Sequence, residues 1–530
     1  MTEPETLDTE VVVVGAGPTG LMLACELTLA GVRTLVLERS PQRIEQVKGG
    51  GIQPRTAEML QLRGLLAPLL ARAAERVPTG GHFAALPVPL DCTPWRTRHP
   101  YPIAIPQWKV EEELEERAVA QGARVVRDAA VRAVEPDDDG VLVATSGGPR
   151  VRARYAVACD GGHSTVRKLL GMPFPGRSGT HRAVLADVRL TAVSSQVPRE
   201  MGHLSTLTRH VGGYWAMLMP LGGELYRLTY GRTGGTDAAG QEDTGRDGTG
   251  RDAPVTPEEI TAALHAVYGS ETTLGAVENA SRFTDATRQL EHYRTGRVLF
   301  AGDAAHIHPP LGGQGLNLGI QDAYNLGWKL AATVQGRAPG GLLDSYHAER
   351  HPVAAQVLHH TSAQRVLADP NPGPDVAALR DIVVDLLRLP DANRHIAGLM
   401  SGLSLHYDVP GDHPLTGHRV PDADLVTGAG ATRLSALFGR GHAVLLDLAH
   451  GVPADLRLPP RIDLVHATRS EDSEGPQGPQ GSQGSQGSED IGAAALLLRP
   501  DGYVCWATDS FADDGETLHA AVRDHIATTP

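Results

Sequence analysis

Residues 11–38 constrain the chain most. VVVV at 11–14 is a β-branched apolar run of strand length, and GAGPTG follows at 15–20. Leu21, Leu23, Ala24, Leu27 and Ala30 then recur at helical spacing as far as Gly31, a C-cap residue, and RTLVLE at 33–38 reads as a second buried strand. Strand, helix and strand in so short a span place two parallel strands side by side in a doubly wound sheet. Gly15, Gly17 and Gly20 stand in G-x-G-x-x-G order. The first permits the tight turn, the second lets main chain approach a pyrophosphate, and the third lets helix and strand pack closely. Glu38 ends the second strand about twenty residues on, placed to accept hydrogen bonds from ribose hydroxyls. The fold class is therefore α/β with a Rossmann-type dinucleotide-binding domain. The motif does not separate NAD from FAD.

The chain has 530 residues, which implies two or three domains. Its net charge of −14 supplies no basic surface, so nucleic acid is not expected as a partner. No apolar run approaches the roughly 18–20 residues that span a bilayer. The acidic start before VVVV is unlike a signal peptide, so a cytoplasmic protein is expected. Cys25, Cys92, Cys159 and Cys505 are scattered, with neither CxxC nor metal spacing. Of 48 basic residues only Lys48, Lys109, Lys168 and Lys329 are lysine.

Farther along, residues 110–122 read as a charged helix stopped by Gly122, with short strands near 124–135, 141–145 and 151–158. Residues 183–231 alternate, as in YWAMLMPL and LYRLTYG, and predict an antiparallel sheet. RVLFA at 297–301 is another buried strand, and helices follow to about residue 405. From about 415 the pattern returns to strands and a helix. Two polar, low-complexity stretches, 233–253 and 471–490, are expected to be disordered.

Two more motifs carry chemistry. In RVLFAGDAAHIHPPLGGQGLN (297–317), Asp303 follows a strand and can bind a sugar or ribityl hydroxyl. Gly312, Gly313 and Gly315 after the Pro309–Pro310 pair form a glycine-rich helix start that can approach a flat ring. His306 and His308 have no third ligand nearby, so no metal is expected. In CDGGHSTVR (159–167), Asp160 ends a strand and Ser164 can cap the next helix.

GxGxxG…E, DGxxSxxR and GDAAHxxPPxGGQGxN occur here in one order. Together they resemble the single-component FAD-dependent aromatic hydroxylases, typified by para-hydroxybenzoate hydroxylase, over residues 10–400. LLRPDGYVCWA at 497–507 resembles the thioredoxin-like C-terminal domain of phenol hydroxylase and of polyketide-tailoring hydroxylases, here without CxxC.

The resemblance implies a discontinuous FAD-binding domain over 1–182 and 285–400 and an antiparallel-sheet substrate domain over 183–284. Residues near 80–110 add to the pocket, and a thioredoxin-like domain covers 415–530. It implies bound FAD, NADPH or NADH as co-substrate, dioxygen, and an aromatic polycyclic substrate of the kind met in antibiotic biosynthesis. The protein would be a monomer or homodimer.

Matched position by position, Gly15, Gly17, Pro18, Thr19, Gly20, Glu38 and Arg39 would hold the ADP half of FAD. Gln107, Asp160, Arg167 and Asp303 would contact its middle or the reductant. Pro310, Gly313, Gly315, Leu316 and Asn317 would lie along the flavin ring. Lys48, in VKGGGIQPR, stands where the family has arginine; with Pro310 it is a candidate for the catalytic centre. Asp322, Asn325 and Lys329 read as structural. Trp215, Met217 and Met219 share one strand face at period two and are candidates for the substrate wall.

The reaction implied is hydroxylation through a flavin C4a-hydroperoxide. Baeyer–Villiger insertion into a similar ketone, or flavin binding without turnover, are the alternatives. A halogenase is disfavoured because no two of Trp95, Trp108, Trp215, Trp328 and Trp506 lie two apart.

Overall fold

A computed structural model describes residues 6–43, 50–73, 80–146, 148, 150–232, 254–369, 372–453, 456–469, 491–511 and 515–526. The stretches 233–253 and 471–490, and Lys48, lie outside them.

The doubly wound sheet runs, in spatial order, Arg294–Thr295, Val298–Phe300, Tyr155–Ala158, Val11–Val14, Thr34–Leu37 and Arg124–Val126. Neighbours are parallel except at the 294–295 edge. Val11, Val12 and Val13 are fully buried because both sheet faces are covered, which is why this strand is apolar without alternation. Helix Pro18–Leu29 crosses between the first two sequence strands, against helices Gly315–Val334 and Gln107–Ala120. It is accordingly buried from Gly20 to Thr28 rather than along one stripe. A smaller sheet of Thr6–Asp8, Arg150–Ala153, Val141–Thr145 and Val131–Pro136 flanks it.

The second unit is an antiparallel sheet in the order Thr208–Val211, Tyr214–Gly222, Leu225–Arg232, Arg182–Ala192 and Thr273–Thr284. Alternation separates its faces. Val184, Ala186, Val188, Ala216, Leu218 and Leu228 pack with Ile260, Ala263 and Leu264 of helix Pro257–Tyr268. Each Val, Leu or Ile among them contributes about 1.5–3 kcal/mol of burial. Trp215, Met217 and Met219 fall on the opposite face and are only partly buried.

Helices Ser345–Leu367, Pro374–Leu387 and Pro390–Ser401 lead to a six-stranded sheet near the C-terminus. Among its described strands one pair is parallel, Ala443–Asp447 with Ile462–Arg469. Ala495–Leu498 and Val504–Thr508 continue it antiparallel, and helix Gly515–His525 follows. The four cysteines are free and buried. Among the described residues no helix is long and apolar enough to cross a membrane.

Candidate active site

The carboxyl ends of strands 11–14, 34–37 and 155–158 open on a cleft of ≈ 510 Å³, where doubly wound sheets bind ligands. Gly15 through Thr19, Glu38 and Arg39 form one wall. Gln107, Asp160, Asp303, Gly315 and Leu316 complete it.

The three motif glycines have distinct surroundings. A Cβ on Gly15, whose φ is +107°, would collide with the Cys159 carbonyl. One on Gly20 would collide with the Gly15 carbonyl. A Cβ on Gly17 would meet nothing within 4 Å, so its main chain lies bare to the cleft. Glu38 is held by its neighbours: Oε2 accepts from Ala16 N–H at 2.9 Å and Oε1 from Ser40 N–H at 2.9 Å. Each oxygen keeps a further lone pair for another donor. Helices 18–29 and 315–334 both start at the cleft without a side-chain cap. Their orphan N–H groups favour an anion.

Gln107 Nε2 donates to Glu111 at 2.8 Å. Asp160 Oδ2 accepts from Thr165 and Val166 N–H at 2.6 and 3.1 Å, while its buried Oδ1 has no partner among the described residues. A bare glycine, a braced carboxylate, an unengaged acceptor and two open helix starts fit the phosphates and ribose of a bound dinucleotide.

Beyond Asp303 the wall continues as a turn through Pro310 and Gly313. A side chain on Gly312, φ +78°, would collide with Met400. Asn317 stitches this turn to the second glycine run. Its Oδ1 accepts from Gln53 N–H at 2.7 Å, and its Nδ2 donates to Gly51 and Gly313 carbonyls at 3.0 and 2.9 Å. Gln53 Nε2 donates to the Gly312 carbonyl at 3.0 Å. The described part of that run, from Gly50, thus borders the 310–317 turn.

Arg167, like Gly20, Pro310, Gly313 and Asn317, is not part of the cleft lining. It is buried, donates to Ala304 and Gly162 carbonyls at 2.9 and 2.7 Å, and lies 3.7 Å over Phe174. It braces the turn that carries Asp303. His306 is likewise engaged, with Nε2 2.7 Å from Asp322 Oδ2. Asp322 also accepts from Gly302 N–H at 3.1 Å and Arg350 Nε at 2.7 Å. Burial pushes its carboxyl pKa up, but Arg350 and His306 outweigh that and hold it below the ordinary value. Among the described residues no group of three or more His, Cys, Asp or Glu is arranged to hold a metal.

On the sheet, Trp215 lies across Gly231, whose Cβ would come 2.6 Å from the indole nitrogen. Met217 pairs with Thr229 and Met219 with Arg227. Arg227 was not among the sequence candidates. Its Nε and Nη2 bind Asp187 at 2.9 and 3.2 Å, both side chains buried, and its Nη1 lies 2.9 Å from where Gly50 would carry a Cβ. That contact brings the Met219 end of the sheet face against the second glycine run. A signal existed: Arg227 in LYRLTYG and Asp187 in AVLADVRL are charges set among apolar strand residues.

Residues 8–361 match the family described as FAD binding domain, and 413–528 that described as aromatic-ring hydroxylase, C-terminal. A 12-dehydrotetracycline 5-monooxygenase/anhydrotetracycline 6-monooxygenase of Streptomyces rimosus is 47% identical over 519 residues, 96% of this chain and 97% of that protein. The solved OxyS anhydrotetracycline hydroxylase of Streptomyces rimosus superposes with a TM-score of 0.84 at 44% identity, over 99% of this chain and all of that one (100%). The Diels-Alderase PyrE3 of pyrroindomycin biosynthesis does so at 0.79 and 36%, over 99% and 100%. The likeness spans both the cleft and the C-terminal sheet, and on that ground this chain belongs to the FAD-dependent aromatic-ring hydroxylases, a family of flavoprotein monooxygenases.

Proposed function

We propose that the protein hydroxylates a bulky polycyclic aromatic, polyketide-type substrate, using NADH or NADPH and dioxygen. The observation that carries this reading is the contact of Arg227 with Gly50. It sets the partly buried Trp215, Met217 and Met219 face beside a loop that is hydrogen-bonded to the 310–317 turn. An apolar wall of that breadth suits a flat multi-ring molecule.

Gly15, Gly17, Pro18, Thr19, Gly20, Glu38 and Arg39 hold the ADP half of FAD. Gln107, Asp160 and Asp303 hold its middle, and Arg167 keeps the Asp303 turn in place. Pro310, Gly313, Gly315, Leu316 and Asn317 run along the flavin ring, and the family resemblance assigns Lys48, outside the described residues, to the catalytic centre with Pro310. When bound, FAD would supply the hydride-accepting and oxygen-activating chemistry. The chain binds and orients the substrate and excludes water from the reacting atoms. The division into 1–182 with 285–400, 183–284 and a thioredoxin-like 415–530 belongs to this reading, as do a cytoplasmic setting and a monomer or homodimer.

The test incubates purified holoenzyme with NADPH, isotopically labelled dioxygen and anhydrotetracycline beside a panel of aromatic polyketides, and locates the added atom by mass spectrometry. A labelled ring hydroxyl is the expected outcome. Label inside an expanded ring would replace hydroxylation by Baeyer–Villiger insertion. The second reading is flavin binding without turnover; the likeness to PyrE3, a Diels-Alderase, keeps a reaction other than oxygenation in view. Absence of substrate-stimulated NAD(P)H oxidation across the panel would support it.

A further inference from the structure

His306 and His308 stand in one motif, and so far only His306 has a task. Strand His306–Ile307 pairs with Thr287–Gln289. Its two side chains part. His306 bonds Asp322, and Ile307 packs 3.0 Å from where Gly162 would carry a Cβ. His308 comes next and reaches the start of helix Gly315–Val334.

The His308 ring is fixed in one tautomer. Its Nδ1 lies 2.7 Å from the Pro309 carbonyl oxygen, which can only accept, so Nδ1 carries the proton. Burial lowers the ring's pKa and His306 adds to that, outweighing the Pro309 carbonyl and Asp303, so the ring is neutral at pH 7. Nε2 is then a bare acceptor. It is buried and has no partner among the described residues.

Nε2 borders an open point that it shares with Asp303. A Cβ on Gly315 would come 3.8 Å from His308 Nε2 and 3.9 Å from Asp303 Oδ1. Within 4 Å it would meet no other described atom outside its own helix and neighbours. Asp303 and Gly315 both line the ≈ 510 Å³ cleft. The helix that starts at Gly315 has no side-chain cap, so its orphan N–H groups border the same point. Two acceptors beside main-chain donors suit a hydroxyl, which donates and accepts at once. An ionised phosphate oxygen would bring Nε2 no proton. Between its ADP half and its ring, FAD carries hydroxyls on the ribityl chain.

We propose that His308 Nε2 accepts a hydrogen bond from a ribityl hydroxyl of bound FAD, beside Asp303. This rests on the FAD-binding reading above and deepens it by one cofactor-binding residue. The ring arrives with its tautomer already set by Pro309, so no proton moves when the cofactor binds.

The test needs no turnover. Full-length apoprotein is titrated with FAD and with ADP, which has no ribityl chain, by calorimetry. His308→Leu should weaken FAD about threefold to tenfold and leave ADP unchanged. His308→Gln, whose side-chain oxygen is an acceptor, should recover part of the loss. A set of FAD analogues, each lacking a single ribityl hydroxyl, then locates the donor. Wild type should bind one of them more weakly than FAD by a similar factor, and in His308→Leu that penalty should disappear.

Unchanged FAD affinity in His308→Leu would leave Nε2 to an internal water only and overturn the proposal. Equal losses for FAD and ADP would overturn it too, as would a wild type that binds every analogue as tightly as FAD. So would penalties that all persist in His308→Leu. The expected pattern in a protein without substrate-stimulated NAD(P)H oxidation would sink only the monooxygenase reading. Turnover with FAD affinity intact in His308→Leu would sink only the role of His308.

Discussion

In the cofactor cleft, Gly17 faces open space, Asp160 keeps an oxygen without a partner and two helix starts lack side-chain caps. Beneath the C-terminal sheet the charged groups are bound to one another, although Asn325 Oδ1 has no partner among the described residues. Arg499 grips both oxygens of Glu349 at 2.8 Å and reaches Asp501 at 2.6 Å. Lys329 Nζ lies 2.8 Å from Glu349, and Trp328 and Asn325 donate to Asp501 at 3.3 and 3.4 Å. Arg63 joins Glu26 to the Phe438 and Pro500 carbonyls, at 3.0 and 2.9 Å for the latter two. Burial brings the Lys329 pKa down to about 8 against the pull of Glu349. Displaced titration is a common sign of catalysis, yet here it marks a packed seam between units. The cleft is recognised instead by what its main chain and carboxylates leave unengaged.

Five measurements separate the cleft from the seam. Glu349→Ala strands Arg499 and Lys329 in the seam and should cost about 3–5 kcal/mol in urea unfolding, with the flavin-to-protein ratio of the folded fraction unchanged. Lost flavin at full stability would break the contrast.

Gly17→Ala should do the opposite. Its Cβ enters empty space, so apoprotein stability should stay level while FAD affinity falls by about 2–3 kcal/mol, read by flavin titration. Gly15→Ala, which collides with Cys159, should lower both.

Trp215→Ala should weaken substrate about tenfold and leave FAD binding alone. Unchanged substrate affinity and coupling would return Trp215 to ordinary core.

Acid sensitivity tests a second clasp. Asp285 accepts from Thr180 and His181 N–H at 2.6 and 2.9 Å and from Arg177 at 3.0 Å, where the chain crosses between units. Burial alone would raise its pKa, but these donors bring it from 3.8 to about 2. A depressed carboxylate stabilises the fold above its unfolded pKa and loses that contribution as pH falls through the folded value. Asp285→Asn should therefore cost about 1 kcal/mol near neutrality, after solvent screening, and the difference should vanish below about pH 2 in acid titrations.

The smallest effect is expected at Lys48. Lys48→Ala should slow flavin reduction or raise peroxide release by about twofold to fivefold. Stopped-flow rates and peroxide yields equal to wild type would make it a solvated loop charge.

The cleft was legible because its parts are local. Strand, glycine turn and helix start are contiguous, and Glu38 follows one helix later, so spacing alone predicts their meeting. The same holds for the period-two face of Trp215, Met217 and Met219. Arg167 was legible as a motif residue, but its direction was not. The side chain is held by the carbonyl of Ala304, a partner 137 residues distant. Arg227 and the seam had weaker signals, since a charge in an apolar run shows that a partner exists without saying which.

The βαβ unit, the roles of Gly15, Gly17 and Gly20 and the alternation of the antiparallel sheet are written in the chain, because they follow from backbone sterics and side-chain period over a few residues. That Gly50 meets Arg227 and that Arg499 meets Glu349 came from the tertiary structure. Those pairings depend on where distant segments are carried by the packing of whole units, and no local pattern encodes the partner.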